Sequence, residues 1–279
     1  MRARSGPPGN LVAVPAPPTY LDRILAAHRQ AAADDRRAVE DLQSAARHGG
    51  PVRGFAAALR ARDGLAVIAE VKRRSPSKGD LDASLDPAAV AADYERGGAA
   101  CMSVLTDEAF FGGSAADLQA ARAACSLPVL RKDFTVSPAD VYDARAMGAD
   151  AVLLIVAALS DGELAELHAL AASLRMDALV EVHDERELDR ALAVGATLVG
   201  VNQRDLVTFA VDTDRALRMA QRFPPHVTAV AESGIDGPAS AARLGAAGYH
   251  AVLVGETLVR SADRAAAVAA LRSGVSVPS

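Results

Sequence analysis

The chain has no tryptophan, only two cysteines and no long apolar run. Two cysteines are too few for a disulfide scaffold, so we expect Cys101 and Cys125 to be reduced and buried. The longest apolar run, residues 151–159, is roughly half of the ~20 residues that a membrane helix needs. These absences indicate a cytoplasmic protein that does not insert into a membrane.

A positive charge excess and a histidine-rich metal motif are also missing. Thirty basic residues against thirty-five acidic ones give a formal net charge of −5, which argues against general nucleic-acid binding. The six histidines show no i, i+4 pair and no H-E-x-x-H arrangement, so we predict no metal site. His183 alone lies near a predicted strand end, and we interpret it as a structural or rim residue. A small molecule is the partner that this composition favours.

Residues 1–18 are rich in proline, glycine and arginine, which is typical of a disordered leader. Residues 20–48 show the periodicity of an amphipathic helix, and residues 54–62 predict a second, short helix. We therefore treat residues 19–64 as an N-terminal helical extension. The extension could cover the mouth of the following domain or mediate contact with another chain, and amphipathicity fits both.

Short runs of β-branched residues then alternate with alanine-rich segments of helical spacing. The eight predicted strands are residues 66–71, 101–105, 128–132, 151–156, 178–182, 198–202, 227–231 and 251–254. Their spacing of roughly 20 to 35 residues suits a strand plus a crossover helix. We predict a single (β/α)8 TIM barrel over residues 65–279, an α/β fold of ordinary size for this class. An open doubly wound sheet is the alternative, but no G-x-G-x-x-G motif follows the first strand.

Two opposite charges interrupt the first predicted strand. Glu70 and Lys72 lie two residues apart in V-I-A-E-V-K, so their side chains should project to the same side of the sheet. Buried charges are costly unless they are paired, which favours a functional site over a core position. The polar turn S-P-S-K-G at residues 75–79 follows, and its hydroxyls and backbone donors could hold an anionic substrate.

Further polar residues recur where other predicted strands end, which is the end of a barrel that carries catalytic groups. They are Lys132, Glu181, Asn202 and Glu232. Taken singly, each could be a solvated loop residue. Together, two lysines and several carboxylates in one cleft supply acids and bases whose pKa values can be driven apart, which indicates proton-transfer chemistry.

Glycines follow the last two predicted strands, at the position where barrels commonly bind phosphate. Ser233-Gly234 and Gly255-Glu256 occupy these places. Glycine after a strand is also an ordinary turn, so each pair alone is weak evidence, but both together predict a phosphate site. Glu256 would contact phosphate through its backbone amide. Arg204 and Asp205 could instead brace the loop after the sixth strand.

Taken in order, these residues resemble the indole-3-glycerol phosphate synthases of tryptophan biosynthesis. The resemblance covers most of the chain and is carried by L-D-R-I-L-A-A-H-R from Leu21, I-A-E-V-K-R-R-S-P-S-K-G from Ile68, L-T-D-E-A-F-F-G-G-S from Leu105, and then L-R-K-D-F, L-V-E-V-H, V-N-Q-R-D-L, A-E-S-G-I and L-V-G-E-T-L-V-R. The I-A-E-V-K and L-T-D-E motifs are specific in combination. A-E-S-G-I or V-G-E-T alone also fits other phosphate-binding barrels.

The resemblance implies conversion of 1-(2-carboxyphenylamino)-1-deoxyribulose 5-phosphate to indole-3-glycerol phosphate, with loss of carbon dioxide and water. It implies no metal and no organic cofactor. Lys132 corresponds to the general acid and Glu181 to its partner in dehydration. Lys72 would pair with substrate anions, Glu70 would orient Lys72, and Asn202 would position the reacting hydroxyl and Glu181. The two lysines could exchange roles between steps.

The sequence pattern and the resemblance together give a set of predicted substrate-binding residues. They are Ser75, Phe110, Phe111, Arg204, Glu232, Ser233, Gly234, Gly255 and Glu256. We expect Phe110 and Phe111 to form an apolar wall on a mobile loop after the second strand, with core packing as the alternative. Gln203 and Thr257 depart from the residues that are frequent in the family, but both remain polar.

Two other functions compete with this interpretation. A phosphate-binding sugar isomerase on the same fold would need no decarboxylation, and commonly has an aspartate or cysteine where Glu70 and Lys72 stand. A catalytically silent barrel would bind phosphate without turnover, although every proposed catalytic group is present. The oligomeric expectation is a monomer or a weak homo-oligomer.

Overall fold

Eight parallel strands close into a barrel in which each strand pairs with its neighbours in sequence. The computed structural model describes residues 18–75 and 79–273. The first strand pairs with both the second and the last, with Ile68 opposite Cys101 and Ala66 opposite Ala251, and this closes the barrel. The strands are β1 (Ala66–Val71), β2 (Cys101–Leu105), β3 (Val129–Lys132), β4 (Ala151–Ile155), β5 (Asp177–Val182), β6 (Leu198–Asn202), β7 (Thr228–Glu232) and β8 (Ala251–Val254). The predicted (β/α)8 barrel is confirmed.

The predicted strand ends differ from the observed ones by one residue at several places. β3 begins at Val129 because Pro128 has no N–H to donate to a neighbouring strand. The chain leaves β4 into a 3-10 turn (Val156–Ala158), so Val156 is not part of the strand. β5 begins one residue earlier than predicted, and β7 lies one residue later, which brings Glu232 into the strand.

Helices pack outside the barrel and bury the outer faces of the strands, which explains why most strand residues are apolar. The N-terminal helices are α1 (Tyr20–Asp34), α2 (Val39–Arg47) and α3 (Phe55–Arg60). The barrel helices are α4 (Pro87–Arg96), α5 (Glu108–Phe111), α6 (Ala115–Ala124), α7 (Pro138–Met147), α8 (Asp161–Ser173), α9 (Glu185–Ala193), α10 (Arg215–Met219), α11 (Pro238–Ala246), α12 (Glu256–Val259) and α13 (Arg264–Ser273), with a further 3-10 turn at Ala220–Arg222.

The helix predicted over residues 20–48 is wrong as one continuous element. Asp35 and Ala38 have extended backbones, so α1 ends at Asp34 and α2 starts at Val39. Arg37 attaches the segment between α1 and α2 to the barrel surface, because its guanidinium lies 2.8 Å from the carboxylate of Asp143. A tertiary contact therefore interrupts a pattern that is helical in the sequence alone. The short helix predicted over residues 54–62 is confirmed, with bounds of 55–60.

The N-terminal helices cover both ends of the barrel. α3 lies at the N-terminal ends of the strands, where the backbone N–H of Ala56 donates to the Asp177 carboxylate at 2.8 Å. α1 lies at the opposite end, where the Tyr20 ring packs edge-on against Phe110 and Phe209. The extension is thus part of the barrel's packing and also contributes to its mouth.

Both cysteines are free, as predicted, but only Cys101 is buried. Cys125 is partly exposed, because it follows the end of α6 at the surface, so the prediction that both are buried is wrong for this residue. No helix in residues 18–75 and 79–273 is both long and apolar enough to cross a membrane. Residues 1–17 of the predicted leader lie outside the described residues, and the three-part division of the chain stays a prediction.

Candidate active site

A cavity of about 720 Å³ opens at the C-terminal ends of the strands. Its lining comes from strand ends and the loops that follow them, which is the catalytic end of a barrel of this type. Thirteen of the fourteen predicted site residues line it: Glu70, Lys72, Ser75, Phe111, Lys132, Glu181, Asn202, Arg204, Glu232, Ser233, Gly234, Gly255 and Glu256. The exception is Phe110.

Glu70 and Lys72 form an ion pair at the end of β1. The Lys72 ammonium lies 2.5 Å from Oε1 of Glu70, and the carboxylate is almost fully buried while the lysine keeps 18% of its side chain exposed. Gly255 makes room for this pair, since a Cβ at that position would lie 2.3 Å from Oε1 of Glu70. Lys72 therefore presents its charge to the cavity with its carboxylate partner behind it.

Ser75 follows this pair and is buried beside the cavity. Residues Arg74–Ser75 pair antiparallel with Gly79–Asp80 in a two-stranded ribbon. The predicted turn at residues 75–79 is consistent with this ribbon. Its central residues, 76–78, lie outside the described part of the chain.

Lys132, at the end of β3, lies between two carboxylates in the centre of the cavity. Its ammonium is 3.4 Å from Oε2 of Glu181 and 4.0 Å from Oε2 of Glu232. Both carboxylates are almost fully buried, while 17% of the lysine side chain is exposed. With Glu70 paired to Lys72 and Glu181 to Lys132, Glu232 is the third carboxylate beside only two lysines.

This arrangement sets the protonation states of the three groups. Burial disfavours the charge on Lys132, but the carboxylates of Glu181, Glu232 and Glu70 outweigh it and raise the pKa of Lys132. Burial and the negative charge of Glu181 raise the pKa of Glu232 well above its usual range. Burial also opposes ionisation of Glu181, yet Lys132 and His183 lower its pKa overall. The site thus favours an ammonium on Lys132, an ionised Glu181 and the protonated form of Glu232.

Gly200 on β6 leaves space for Glu232. A Cβ at this position would lie 2.0 Å from Oε1 of Glu232. That oxygen is buried and has no hydrogen-bond partner among the described residues. The carboxyl group of Glu232 is therefore held against the glycine backbone of β6, with its other oxygen 4.0 Å from the Lys132 ammonium.

Asn202 connects Glu181 to the loops after β6 and β7. Its amide nitrogen donates to Oε1 of Glu181 at 3.1 Å. Its amide oxygen accepts from the Ser233 hydroxyl at 2.8 Å and from the backbone N–H of Arg204 at 3.0 Å. These three contacts fix which end of the amide faces Glu181, so Asn202 holds that carboxylate in place.

The loops after β7 and β8 form a second part of the cavity wall. Ser233 and Gly234 both have left-handed backbones, with φ of 65° and 69°. A Cβ on Gly234 would lie 2.5 Å from the Val211 side chain, so this tight loop requires glycine. Arg260, one helical turn beyond Glu256, also lines the cavity and adds a positive charge that the sequence interpretation missed.

The loop after β6 is braced as predicted. Oδ1 of Asp205 accepts from the backbone N–H of Val207 at 2.9 Å and of Thr208 at 2.7 Å. The Arg204 guanidinium donates to the backbone carbonyl of Phe209 at 3.1 Å. Phe209 also lines the cavity, a position that nothing in the sequence pattern singled out.

Phe110 and Phe111 follow β2 as predicted, but they lie in the short helix α5 and not in a loop. Asp107 caps this helix by accepting from the backbone N–H of Phe110 at 2.7 Å. The Phe111 ring lines the cavity and lies 6.4 Å from the ring of Phe134. Phe110 instead packs on Tyr20, so the core-packing alternative describes it better.

A buried polar network joins α1 to the ends of β2 and β3. His28 lies 2.9 Å from one oxygen of Asp107 and 3.8 Å from Asp133. Asp133 accepts from the Thr106 hydroxyl at 2.5 Å and from the Arg131 guanidinium at 3.0 Å. The ligand atoms of His28 and the two aspartates are close enough to hold an ion, but these carboxylates already serve the network. The prediction that the enzyme needs no metal stays a prediction.

Comparisons with known proteins agree on one family. The family profile described as "Indole-3-glycerol phosphate synthase" matches residues 21–271. A protein of that name from Nocardioides sp. is 53% identical over 252 residues, which is 90% of this chain and 96% of the relative. Another from Leptothrix cholodnii is 50% identical over 256 residues, which is 90% of this chain and 98% of the relative.

Solved structures support the fold alone. A 3-hexulose-6-phosphate synthase superposes with a TM-score of 0.57 at 19% identity, covering 77% of this chain and all of that one. A thiamine phosphate pyrophosphorylase from Pyrococcus furiosus gives 0.56 at 15% identity, covering 75% and 94% of the two chains. Family profile and curated relatives together span most of the sequence. The chain therefore belongs to the indole-3-glycerol phosphate synthase family.

Proposed function

We propose that this protein converts 1-(2-carboxyphenylamino)-1-deoxyribulose 5-phosphate to indole-3-glycerol phosphate by ring closure, decarboxylation and dehydration. The observation that carries the proposal is the position of Lys132, whose ammonium lies between Glu181 and Glu232 at the centre of the cavity. Such a group can protonate a carbonyl oxygen, and the neighbouring carboxylates can accept and return protons. The reaction needs these abilities and no electron transfer.

Lys132 is the general acid of ring closure in this proposal. As the aromatic carbon attacks the ribulose carbonyl, its oxygen gains negative charge and becomes far more basic. The raised pKa of Lys132 keeps the ammonium protonated until that charge develops. The proton then moves to the oxygen as the carbon–carbon bond forms, so the lysine stabilises the transition state more than the substrate.

Lys72 binds the anionic part of the substrate in this proposal. The aromatic carboxylate leaves as carbon dioxide after ring closure, and its bonding electrons return to the ring. The Lys72 ammonium can hold the carboxylate beside the reacting carbon, while Glu70 fixes the ammonium at 2.5 Å. The two lysines could exchange these roles between steps.

Glu181 accepts the proton that is lost during dehydration. Lys132 and His183 lower its pKa, so it is ionised and able to act as a base. Asn202 orients this carboxylate and lies near the reacting hydroxyl. Glu232, whose pKa is raised, supports the step as a neutral acid that can donate to the leaving hydroxyl.

The phosphate binds at the loops after β7 and β8. The backbone amides of Ser233, Gly234, Gly255 and Glu256 supply hydrogen-bond donors, and Arg260 supplies positive charge. Arg204 and Ser75 contact the polar parts of the substrate from opposite sides of the cavity. Phe111, together with Phe134, forms an apolar wall for the aromatic ring.

We propose that the reaction requires no metal and no organic cofactor, and that the enzyme works in the cytoplasm as a monomer or weak homo-oligomer. Proton transfers account for each step, and the residues for them are already in the cavity. The partner is the phosphorylated aromatic substrate.

The test is the growth of indole fluorescence when purified protein meets this substrate in the presence of a metal chelator. Growth at an unchanged rate supports a metal-independent synthase. Saturable binding without any fluorescence growth would contradict the proposal and favour a silent barrel. An isomerised product that retains the carboxylate would identify the sugar isomerase instead.

A further inference from the structure

His183 lies directly behind Glu181 and contacts no substrate group in the steps proposed above. It follows β5, two residues after Glu181, and Nε2 of its ring is 3.6 Å from Oε1 of Glu181. Only 13% of its side chain is exposed, and it does not line the cavity. Any effect on the reaction would therefore pass through Glu181.

Glu187 on α9 fixes the ring from the other side. Its Oε2 lies 3.0 Å from Nδ1 of His183 and also accepts the backbone N–H of His183 at 2.7 Å. A carboxylate accepts hydrogen bonds, so Nδ1 carries a proton. The remaining ring nitrogen, Nε2, is buried and has no hydrogen-bond partner among the described residues.

The tautomer has a consequence for the charge of the ring. If the ring were neutral, the lone pair of Nε2 would face the ionised oxygen of Glu181, and the two would repel each other. A proton on Nε2 turns this contact into an attraction between an imidazolium and a carboxylate. The geometry therefore favours the charged ring whenever Glu181 is ionised.

The groups around the ring agree with this conclusion. Burial disfavours the imidazolium, and the Arg215 guanidinium on α10 opposes it, but Glu187 and Glu181 outweigh both and raise the pKa of His183. The same positive charge helps to lower the pKa of Glu181.

We propose that His183 is a positioning residue that, as an imidazolium held by Glu187, keeps Glu181 ionised and directed into the cavity. The proposal rests on the proposed synthase reaction, in which Glu181 is the base. No proton leaves the ring during turnover. When the ring loses its proton at higher pH, the lone pair of Nε2 faces the ionised Glu181 and repels it, so Glu181 is no longer held in position and turnover falls. The pKa of Lys132 is raised, so His183 titrates before Lys132 does.

The main test compares the pH dependence of kcat in three proteins. The wild type should lose kcat above the pKa of His183. Glu187→Gln keeps a side-chain oxygen for Nδ1 and for the backbone N–H but removes one negative charge, so this decline should move to lower pH. His183→Gln cannot titrate, so we expect kcat at neutral pH to fall about 10-fold, a typical effect for one contact to a charged group, and the decline to disappear.

A merely structural role would not produce this pattern. If kcat declined at the same pH in both variants as in the wild type, and both variants had normal unfolding temperatures, the proposal would be overturned. A rise of about 10-fold in the KM of His183→Gln with kcat unchanged would also overturn the proposal, because it would place His183 in substrate binding.

A second measurement does not depend on turnover. The ring signals of the six histidines can be followed by NMR in the resting protein, with His183→Gln identifying the signal of His183. We expect His183 to titrate above the usual ~6.5 and Glu187→Gln to lower that value. A pKa of His183 below ~6.5 in the wild type would contradict the proposed imidazolium, whichever reaction the protein catalyses. If the pKa of His183 is raised but the protein shows no turnover, only the proposed function is contradicted.

Discussion

At the scale of single residues, the site contains fewer lysines than carboxylates. Two ammonium groups lie beside three buried carboxylates, and burial together with the negative charge of Glu181 raises the pKa of Glu232. A sequence shows that these residues occur at strand ends, but not which carboxylate each lysine approaches. The types of residue at the strand ends could therefore be predicted, whereas the pairing of their charges required distances.

Replacement of Lys132 by alanine should remove the general acid. We expect kcat to fall by at least ~100-fold, since general acid catalysis is typically worth 10²–10⁴. Lys132→Arg is the matched control, because it keeps the charge but holds its proton too tightly to give it up. The indole fluorescence assay, with circular dichroism to establish folding, measures both. Near-normal turnover in Lys132→Ala would remove this residue from the central role.

Replacement of Gly200 by alanine should displace the carboxylate of Glu232. The added Cβ would lie 2.0 Å from Oε1, and the β6 backbone is fixed between two strands. We expect a loss of about 1–3 kcal/mol in unfolding free energy, typical of overpacking, and a lower kcat. Urea unfolding and steady-state turnover measure these effects.

Gly162→Ala is the control for this substitution. An added Cβ there meets no atom within 4 Å, and the residue lies in the first turn of α8. Stability and turnover should therefore stay near wild type. Equal behaviour of the two variants would show that Gly200 does not provide the space for Glu232.

At the scale of elements, α1 is attached to the catalytic end of the barrel by His28. The carboxylate of Asp107 hydrogen-bonds to His28 and also caps α5, whose Phe111 lines the cavity. The sequence predicted helical periodicity here but could not locate the break after Asp34, which depends on the distant contact between Arg37 and Asp143. Nor could the sequence show that Phe111 lines the cavity and Phe110 does not, since adjacent residues on one helical turn point in different directions.

The attachment of α1 should depend on pH. Burial opposes the charge on His28, but Asp107 and Asp133, with a smaller effect of Asp140, raise its pKa. A raised folded pKa means that this contribution to stability is fully present below the unfolded value of ~6.5 and is lost as pH rises through the folded value. Asp107, whose pKa is lowered, remains ionised through this window.

The variant His28→Gln should therefore cost more stability at pH 6 than at pH 9. We expect a difference in unfolding free energy of about 1 kcal/mol, the typical net contribution of one hydrogen bond. Urea unfolding of both proteins at the two pH values measures it. An equal cost at both values would mean that the imidazolium charge contributes nothing to the attachment.

At the scale of the whole molecule, the barrel could be predicted because parallel strands covered on both faces are apolar runs at regular spacing. Strand order then follows from sequence order, and the strand ends bring Glu70, Lys132, Glu181 and Glu232 to one mouth. Long-range features were harder to predict. Phe209, Arg260 and the network around His28 reach the mouth from loops and helices whose paths depend on tertiary packing.

The most direct measurement of the central claim is the stoichiometry of carbon dioxide and indole-3-glycerol phosphate. Substrate labelled with ¹³C in its aromatic carboxylate would be incubated with the wild-type protein and a metal chelator, and both products quantified. The proposed function predicts one labelled carbon dioxide for each indole product formed. A product that retains the labelled carboxylate, or binding with no product at all, would contradict it.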